Sequence, residues 1–252
     1  MSNQNSAEYR ELFRNANSPE TLIVDLKRIC NLKDELLSAA VALNPSANRE
    51  ILINLEKDKS ESVVGNIKKR YQTHPSLYTM KMREVVEDDA EYVFSLRTNS
   101  EYNRYISQVG SEVDKQKDYI NSYASNNDAF RSSFYFIIER LDNKTRCGTV
   151  RIYNFTEDCF EWGSWILDEN KTRYSAMETA IFVYDFAFNN LGFSKCEFEV
   201  DKLNEKVVSF HLKSGAIIIY EDDKNYYFRI TKNEGLEFAS NLRQRLDVKS
   251  IN

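Results

Sequence analysis

The chain has 252 residues, a formal net charge of −5, and only seven glycines and three prolines beside 32 aromatic residues. This length allows one large domain or two small ones. The aromatic content with so little glycine and proline argues against disorder, and the acidic balance gives no general attraction to nucleic acid or anionic membranes.

Cysteine and histidine usage argues against a metal site. The four cysteines have no CxxC spacing, which predicts reduced thiols in a cytosolic protein rather than a zinc site or a disulfide framework. They are Cys30, Cys147, Cys159 and Cys196. With only His74 and His211 present, a multi-histidine metal site is excluded.

No apolar run approaches the roughly 18 residues of a membrane span, and the polar N-terminus is no signal peptide. A cytoplasmic protein without a membrane partner is therefore predicted.

Residues 1–76 are predicted to be helical throughout. Apolar residues recur at helical spacing, and Asn17-Ser18-Pro19-Glu20 has the composition of a helix start. Pro19, Pro45 and Pro75 each follow a polar residue, at intervals of 26 and 30 residues. This spacing hints at a helical repeat, and residues 41–63 resemble the leucine-rich-variant type of α-solenoid. Two interpretations stay open, a small helical cap on the main domain or a second subunit, and a partner-binding solenoid.

Beyond His74-Pro75-Ser76 the pattern changes from helical to mixed, so a second domain is predicted at residues 77–252. Its predicted strands are residues 78–85, 134–140, 147–155, 160–167, 195–200, 216–220 and 226–231. Its predicted helices are residues 87–107, 114–125, 174–190 and 204–213, followed by a C-terminal amphipathic helix through Phe238 and Leu242. The order β-α-α-β-β-β-α-β-α-β-β predicts a mixed, mostly antiparallel α/β sheet flanked by helices, with Gly192 ending the long helix.

The strand at residues 160–167 carries Trp162 and Trp165 around a single glycine, Gly163. Glycine inside an apolar strand predicts a bend or bulge, where a ligand can approach the backbone. The polar loop 168–173 then leads into the long helix. A loop that feeds a helix N-terminus commonly presents free N–H groups to a phosphate or carbonyl oxygen.

Four motifs in this order resemble those of the GNAT superfamily of acetyl-CoA-dependent N-acyltransferases, over about residues 78–231. They are Arg97-Thr98-Asn99 after an acidic helix start, EWGSWI (161–166), AMETA (176–180) with FAFNNLGF (186–193), and Asn204, Val207, His211 and Gly215. Within the superfamily, the likeness is closest to the branch of ribosomal-protein alanine and amino-sugar-nucleotide acetyltransferases. The resemblance implies acetyl-CoA as cosubstrate and no metal.

Two positions depart from the family pattern. In KTRYSA (171–176), Tyr174 occupies the position of a glycine in the family's CoA loop, and a tyrosine Cβ crowds backbone that should approach the pyrophosphate. The loop either binds CoA in a different way, with the help of Lys171 and Arg173, or no longer binds it. His211 occupies the position of the family's tyrosine general acid.

The resemblance implies three catalytic candidates, and each residue also has a possible non-catalytic role. Glu161 matches the base that takes the amine proton, or is a salt-bridged strand carboxylate. Glu178 begins the CoA-side helix and is catalytic or structural. His211 protonates the departing thiolate, since imidazole titrates near pH 7, or is merely packed in its helix.

The same resemblance implies binding residues for both substrates. The cofactor set is Trp165, Ile166, Leu167, Lys171, Arg173, Tyr174, Ser175, Ala176 and Asn204, where Asn204 also fits a helix N-cap. The acceptor set is Arg97, Asn103, Tyr105, Arg151 and Tyr153, in which arginines suit a diphosphate and tyrosines a base or sugar. Acceptor specificity is expected to depend on loops such as residues 107–117.

Three functions remain open on this basis. The first is acetyl transfer to a nucleotide-linked amino sugar used in surface-glycan synthesis. The second is acetylation of a protein N-terminus, which would favour an open, acidic groove over an arginine-lined pocket. The third is a non-catalytic binding module that has lost CoA. A homodimer through the helical segment or the sheet edge is also expected.

Overall fold

The computed structural model describes residues 6–58, 60–105, 113–125 and 132–250. Its helices are α1 (Ala7–Asn17), α2 (Ile23–Asn31), α3 (Glu35–Leu43), α4 (Arg49–Glu56), α5 (Glu61–Gln72), α6 (Ala90–Thr98), α7 (Val113–Ser125), α8 (Ser175–Asp185), α9 (Glu205–Lys213) and α10 (Lys232–Ser250). Its strands are β1 (Met80–Glu84), β2 (Phe134–Arg140), β3 (Arg146–Tyr153), β4 (Cys159–Leu167), β5 (Lys195–Asp201), β6 (Ile217–Glu221) and β7 (Asn225–Thr231).

The predicted element order is confirmed, and the differences lie at element ends. A 3₁₀ turn at Glu87–Asp89 precedes α6, which ends at Thr98, so the helix predicted at residues 87–107 is shorter. The end of that predicted helix and most of the loop 107–117 lie outside the described residues. Pro19 lies in the turn before α2. The long helix α8 continues into a π-helical turn, Phe186–Asn190, and Gly192 follows with φ +78°.

The seven strands form one sheet in the order β1-β2-β3-β4-β5-β7-β6. All neighbours are antiparallel except β4 and β5, which run parallel. Helices cover both faces over β2. Phe134, Phe136 and Ile138 pack into the main core with α8, whereas Tyr135 and Ile137 pack with α6 and α7. This alternation is the period of two that a strand requires, so the mixed α/β fold is confirmed.

The N-terminal helices contact the π-helical turn that follows α8 through Arg70 on α5. Arg70 is 5% exposed, and its guanidinium donates to five backbone oxygens. Three of them belong to residues 42, 44 and 47, and two to Asn189 and Asn190 at 2.6 and 2.7 Å. The last carbonyl groups of a helix have no partner within it, which makes them available to this donor. A side chain on α5 thus binds carbonyl groups that lie about 120 residues later in the chain.

The N-terminal helices and the segment after α8 also meet at a second point, where Arg49 contacts Gly192. The Arg49 backbone N–H donates to the Gly192 oxygen at 2.9 Å, and a Cβ on Gly192 would lie 2.7 Å from the Arg49 nitrogen. Buried residues of both parts form one continuous cluster. The predicted division into residues 1–76 and 77–252 stays a prediction; α5 ends at Gln72 and β1 begins at Met80.

The edge of the sheet formed by β6 is apolar. Strand β6 pairs only with β7, and Ile217, Ile218, Ile219 and Tyr220 are all exposed. An exposed apolar edge is a surface on which another strand can pair. The predicted homodimer stays a prediction. Among the described residues, no helix is both long and apolar enough to cross a membrane.

We expect Arg70→Met to lower the free energy of unfolding by at least about 3 kcal/mol, because it leaves buried carbonyl groups without a donor. Urea denaturation followed by circular dichroism measures the change. Arg28→Met is the control, since the Arg28 side chain is 80% exposed in a surface ion pair and should change stability little. Equal effects of the two substitutions would contradict the structural role of Arg70.

Candidate active site

The candidate site lies where β4 and β5 separate. Their parallel pairing is limited to two residue pairs, Cys159 with Lys195 and Phe160 with Cys196. Beyond Phe160 the two strands diverge, and their facing edges no longer hydrogen-bond to each other. Such a split in a sheet offers main-chain donors and acceptors to an extended ligand.

A bulge in β4 lies beside this split, as the sequence predicted. The β3–β4 register shifts between Thr149 and Arg151, so one extra residue of β4 is accommodated there. Ser164 adopts φ +46°, and its carbonyl oxygen accepts the Thr149 hydroxyl at 3.0 Å. A Cβ on Gly163 would lie 2.7 Å from the Tyr153 hydroxyl oxygen, so a larger residue at this position would displace the Tyr153 side chain.

The split opens into a cleft of about 220 Å³. Its described lining comprises Tyr102, Tyr105, Tyr153, Glu161, Trp162, Gly163, Ser164, Trp165, Phe198, Glu199, Val200, Asp201, Asn204, Val207 and His211. Six predicted site residues therefore meet in one place: Glu161, His211, Trp165, Asn204, Tyr153 and Tyr105. Ile166 and Leu167 follow on β4 outside this lining.

Glu161 is half-buried at the mouth of the split and held by two donors. The Tyr153 hydroxyl donates to Oε1 at 2.7 Å, and the Asn154 amide donates to Oε2 at 2.7 Å. Because each carboxylate oxygen accepts more than one hydrogen bond, acceptor capacity remains for an amine. Burial and the neighbouring Glu161 carboxylate raise the pKa of Tyr153 well above its usual range, so its phenol stays a donor.

His211 lies at the floor of the cleft and is 3% exposed. Its ring contacts Phe198, at 4.2 Å between centroids, and Trp162, at 5.5 Å, and Nδ1 has no hydrogen-bond partner. Burial in these aromatic surroundings lowers the pKa of His211 to about 3. The imidazole is therefore neutral at pH 7. This corrects the expectation of an acid that titrates near neutrality, because a buried ring without a carboxylate partner does not keep a proton.

The low pKa predicts a specific pH dependence of stability. Below about pH 6.5 the unfolded chain binds a proton at residue 211, whereas the folded protein does not until about pH 3. Stability is thus lost as the pH falls through this window and is retained above it. Between pH 7.5 and pH 5 the wild type should lose about 2 kcal/mol more than His211→Phe, as measured by urea denaturation. Parallel pH profiles would refute the neutral buried state.

Asn204 is half-buried at the start of α9, and its side chain makes no capping hydrogen bond. The helix start is satisfied instead by the Asn204 backbone oxygen, which accepts from Val207 and Val208 at 3.0 Å. Asn204 therefore occupies the N-cap position of α9, but its side chain does not cap the helix. Its amide is left to face the cleft that it lines.

The loop before α8 carries the predicted CoA residues. Tyr174 has φ −104° and ψ −8°, an ordinary right-handed conformation, so replacing the family's glycine causes no backbone strain here. Its ring stacks under the exposed Arg173 guanidinium, 4.5 Å from the ring centroid, and its hydroxyl accepts from the same group. Lys171, also exposed, donates to the Asp168 carbonyl oxygen at 3.1 Å. Two cations thus flank the N-terminus of α8, where anions are favoured.

The first turn of α8 still offers backbone donors. Ser175 is buried, and its N–H donates to the Thr172 oxygen at 3.2 Å. The next two amides, of Ala176 and Met177, belong to the helix turn whose N–H groups have no acceptor within the helix. The geometry therefore fits an anion in spite of Tyr174.

Glu178 does not line the cleft. It is fully buried, and its carboxylate accepts the backbone N–H groups of Tyr78 and Thr79 at 2.8 and 3.0 Å, together with the Thr79 hydroxyl. Of the two roles considered for Glu178, we therefore assign the structural one, and we do not include Glu178 among the catalytic residues. Sequence could not identify these partners, which lie about 100 residues earlier in the chain.

The acceptor candidates divide into two groups. Tyr105 and Tyr153 line the cleft, whereas Arg97, Asn103 and Arg151 are absent from its described lining. Asn103 donates to the Arg97 carbonyl oxygen at 3.0 Å, which stabilises a turn. Arg151 stacks over the rings of Tyr119 and Tyr153, and both arginines lie near the buried Tyr135.

Five cleft residues were not predicted: Tyr102, Phe198, Glu199, Val200 and Asp201. In β5 the residues 196, 198 and 200 are buried, so Glu197, Glu199 and Asp201 lie on the other face. The alternation KCEFEVD could have indicated this acidic face from sequence. Its position opposite Glu161 depends on the sheet order. The described residues contain no group of three or more side chains suited to hold a metal ion.

Comparison with known proteins identifies the family. The family model of the GNAT acetyltransferase domain matches residues 80–217, more than half of the chain. The chain therefore belongs to the GNAT acetyltransferase family and is an acetyltransferase, as the sequence motifs predicted. Members of this family use acetyl-CoA as acetyl donor. No curated protein matched the chain.

Solved structures agree with this assignment. FdhC, described as a nucleotide-linked sugar GNAT and determined in its apo form, is 43% identical with a TM-score of 0.60, over 66% of this chain and 93% of FdhC. A GNAT-family acetyltransferase from Bacillus anthracis is 14% identical, with a TM-score of 0.54 over 64% of this chain and 99% of its own. Spermidine N-acetyltransferase from Vibrio cholerae, in complex with CoA and spermine, is 16% identical, with a TM-score of 0.54 over 62% and 98%. The last two share the fold alone.

Proposed function

We propose that this protein transfers the acetyl group of acetyl-CoA to the primary amine of a nucleotide-linked amino sugar, for use in surface-glycan synthesis. The observation that carries the substrate class is the 43% identity to a nucleotide-linked sugar GNAT across 93% of that chain. The cleft supports it, because a held carboxylate, Glu161, lies where an amine would enter the split between β4 and β5.

Acetyl-CoA supplies an activated acetyl thioester, and the residues of this chain supply its binding site. The N-terminus of α8 with Lys171 and Arg173 suits the pyrophosphate, and the bulged backbone at Gly163-Ser164, Trp165 and the Asn204 amide suit the pantetheine arm. Ile166 and Leu167 continue this strand, and Ser175 and Ala176 begin the helix.

Glu161 is the proposed base. The amine enters as an ammonium ion and gives one proton to the Glu161 carboxylate, which Tyr153 and Asn154 hold in place. Nitrogen then forms the new bond to the acetyl carbon, and the bond from carbon to sulfur breaks. The second proton lost by nitrogen neutralises the thiolate. The balance of protons therefore needs no imidazolium.

His211 is proposed to donate a hydrogen bond, as a neutral imidazole, to the negative charge that develops on the departing thiolate. It does not act as a titrating acid. Its low pKa excludes the charged form at pH 7, but a neutral imidazole still carries one N–H group. Equal turnover of His211→Phe and the wild type would reduce His211 to a packing residue. A preserved turnover number with a lowered stability at pH 7.5 would show the same.

The acidic lining favours a second candidate, acetylation of a protein N-terminus. Besides Glu161, the described lining holds Glu199 and Asp201, and it includes neither lysine nor arginine. An open acidic groove suits a peptide ammonium ion, whereas a diphosphate needs cations. Arg151 stacks over the ring of Tyr153, which lines the cleft. Tyr102 and Tyr105 could stack on either a base or a peptide side chain.

The deciding experiment is a thiol-release assay with acetyl-CoA and three acceptor sets: amino sugars linked to uridine or thymidine diphosphate, the same free amino sugars, and N-terminal peptides of ribosomal proteins. We expect the first set to be at least tenfold better in kcat/KM than the other two. Preference for the peptides would replace the first candidate with the second. Calorimetry with CoA precedes the assay, and no binding at millimolar CoA would leave only the non-catalytic binding module.

We expect Glu161→Gln to lower kcat by about 10²- to 10⁴-fold at pH 7, because the amine loses its base. Activity should recover as the pH rises and more amine is deprotonated in solution. The measurement is thiol release between pH 6.5 and 9.5. Glu157→Gln is the control, an exposed carboxylate in the turn before β4. A kcat within threefold of the wild type would contradict the role of Glu161 as base.

A further inference from the structure

A chain of hydroxyl groups connects the loop before α8 to the buried carboxylate of Glu178. The Thr79 hydroxyl donates to Glu178, whose other oxygen accepts the backbone N–H groups of Tyr78 and Thr79. On its other side the Thr79 hydroxyl oxygen lies 2.9 Å from that of Thr172. Thr172 Oγ1 in turn lies 3.1 Å from Ser175 Oγ.

The carboxylate gives this chain a direction. A hydroxyl has one proton, so Thr79, which donates to Glu178, must accept from Thr172. Thr172 must then accept from Ser175. All three hydroxyl protons therefore point toward Glu178, and the lone pairs that they leave point toward the loop.

Those lone pairs fix the loop backbone. The Thr172 N–H donates to Ser175 Oγ at 2.9 Å, and the Tyr174 N–H donates to Thr172 Oγ1 at 3.2 Å. These amides lie four and two residues before that of Ala176 in the first turn of α8. The hydroxyl chain thus sets the backbone conformation at the point where the N-terminus of α8 becomes available to an anion.

We infer that Glu178 and Thr79 are positioning residues that hold the pyrophosphate-binding loop of acetyl-CoA in its binding conformation through Thr172 and Ser175. This inference rests on the proposed acetyl-CoA site. A loop that is already ordered loses less conformational entropy when its ligand binds. It also explains how a loop without the family's glycine keeps a defined shape, since side-chain oxygens hold its amides.

The test uses the full-length protein and CoA as probe. Thr79→Val keeps both backbone N–H groups that bind Glu178 but removes the hydroxyl link to the loop. We expect the Kd for CoA, measured by isothermal titration calorimetry, to rise about fivefold, the effect of one lost hydrogen bond. Thr79→Ser keeps the hydroxyl and should stay within twofold of the wild type.

The matched control is Thr73→Val. The Thr73 hydroxyl is exposed and bonds only to the Lys69 carbonyl oxygen at 2.8 Å, so its loss should leave the Kd unchanged. The unfolding temperature of each variant is measured without ligand. A merely structural role for Thr79 would lower that temperature while the Kd stayed at the wild-type value, and this result would overturn the inference.

A double-mutant cycle tests whether the two threonines act through one chain. Thr172→Val alone removes the link on the loop side and also serves if Thr79→Val does not fold. The double variant should bind CoA no more weakly than Thr172→Val alone, whereas additive losses would overturn the inference. If the wild type itself does not bind CoA, the proposed function falls and this inference with it. If the wild type binds and the variants bind equally well, only the inference falls.

Discussion

The structure depends most on the short parallel pairing of β4 and β5. Two residue pairs anchor the strands, and beyond them each strand has only one neighbour in the sheet. Buried backbone N–H and C=O groups need hydrogen-bond partners, so a split of this kind is a site for an extended ligand. The bulge at Ser164 and the close approach of Gly163 to Tyr153 lie beside this split. The position of Glu161 at the mouth of the split follows from its being the first residue after the last pair.

The N-terminal helices are joined to the acetyltransferase fold by buried polar contacts as well as apolar ones. Arg70 donates hydrogen bonds to carbonyl groups at the end of α3 and in the α3–α4 connection, and to others in the π-helical turn after α8. The Asn190 amide returns the contact by donating to the oxygens of Arg70 and Thr73. A helix that contributes its first turn to the proposed CoA site is thus held at its other end by the N-terminal segment. This arrangement requires neither a repeat architecture nor a separate partner.

Burial decides the roles of two residues that sequence left open. His211 and Glu178 both occupy family positions, and both are nearly or fully removed from water. His211 has aromatic neighbours and no charge partner, so burial lowers its pKa and keeps it neutral. Glu178 has three donors, so burial makes it a structural anchor. Residue type and position predict which groups matter, whereas the neighbours determine what each group can do.

The sequence by itself determined the family, the order of the elements, the β4 bulge and the glycine after α8. These depend on local periodicity and on backbone demands that act over a few residues. Only the tertiary structure decided the acidic cleft lining, the contacts of Arg70 and the hydroxyl chain to Glu178. Each of these joins residues that are far apart in the chain, and the pKa of His211 likewise depends on rings from β4, β5 and β7. Local patterns carry no information about such contacts, because packing and burial bring them together only after the sheet has formed.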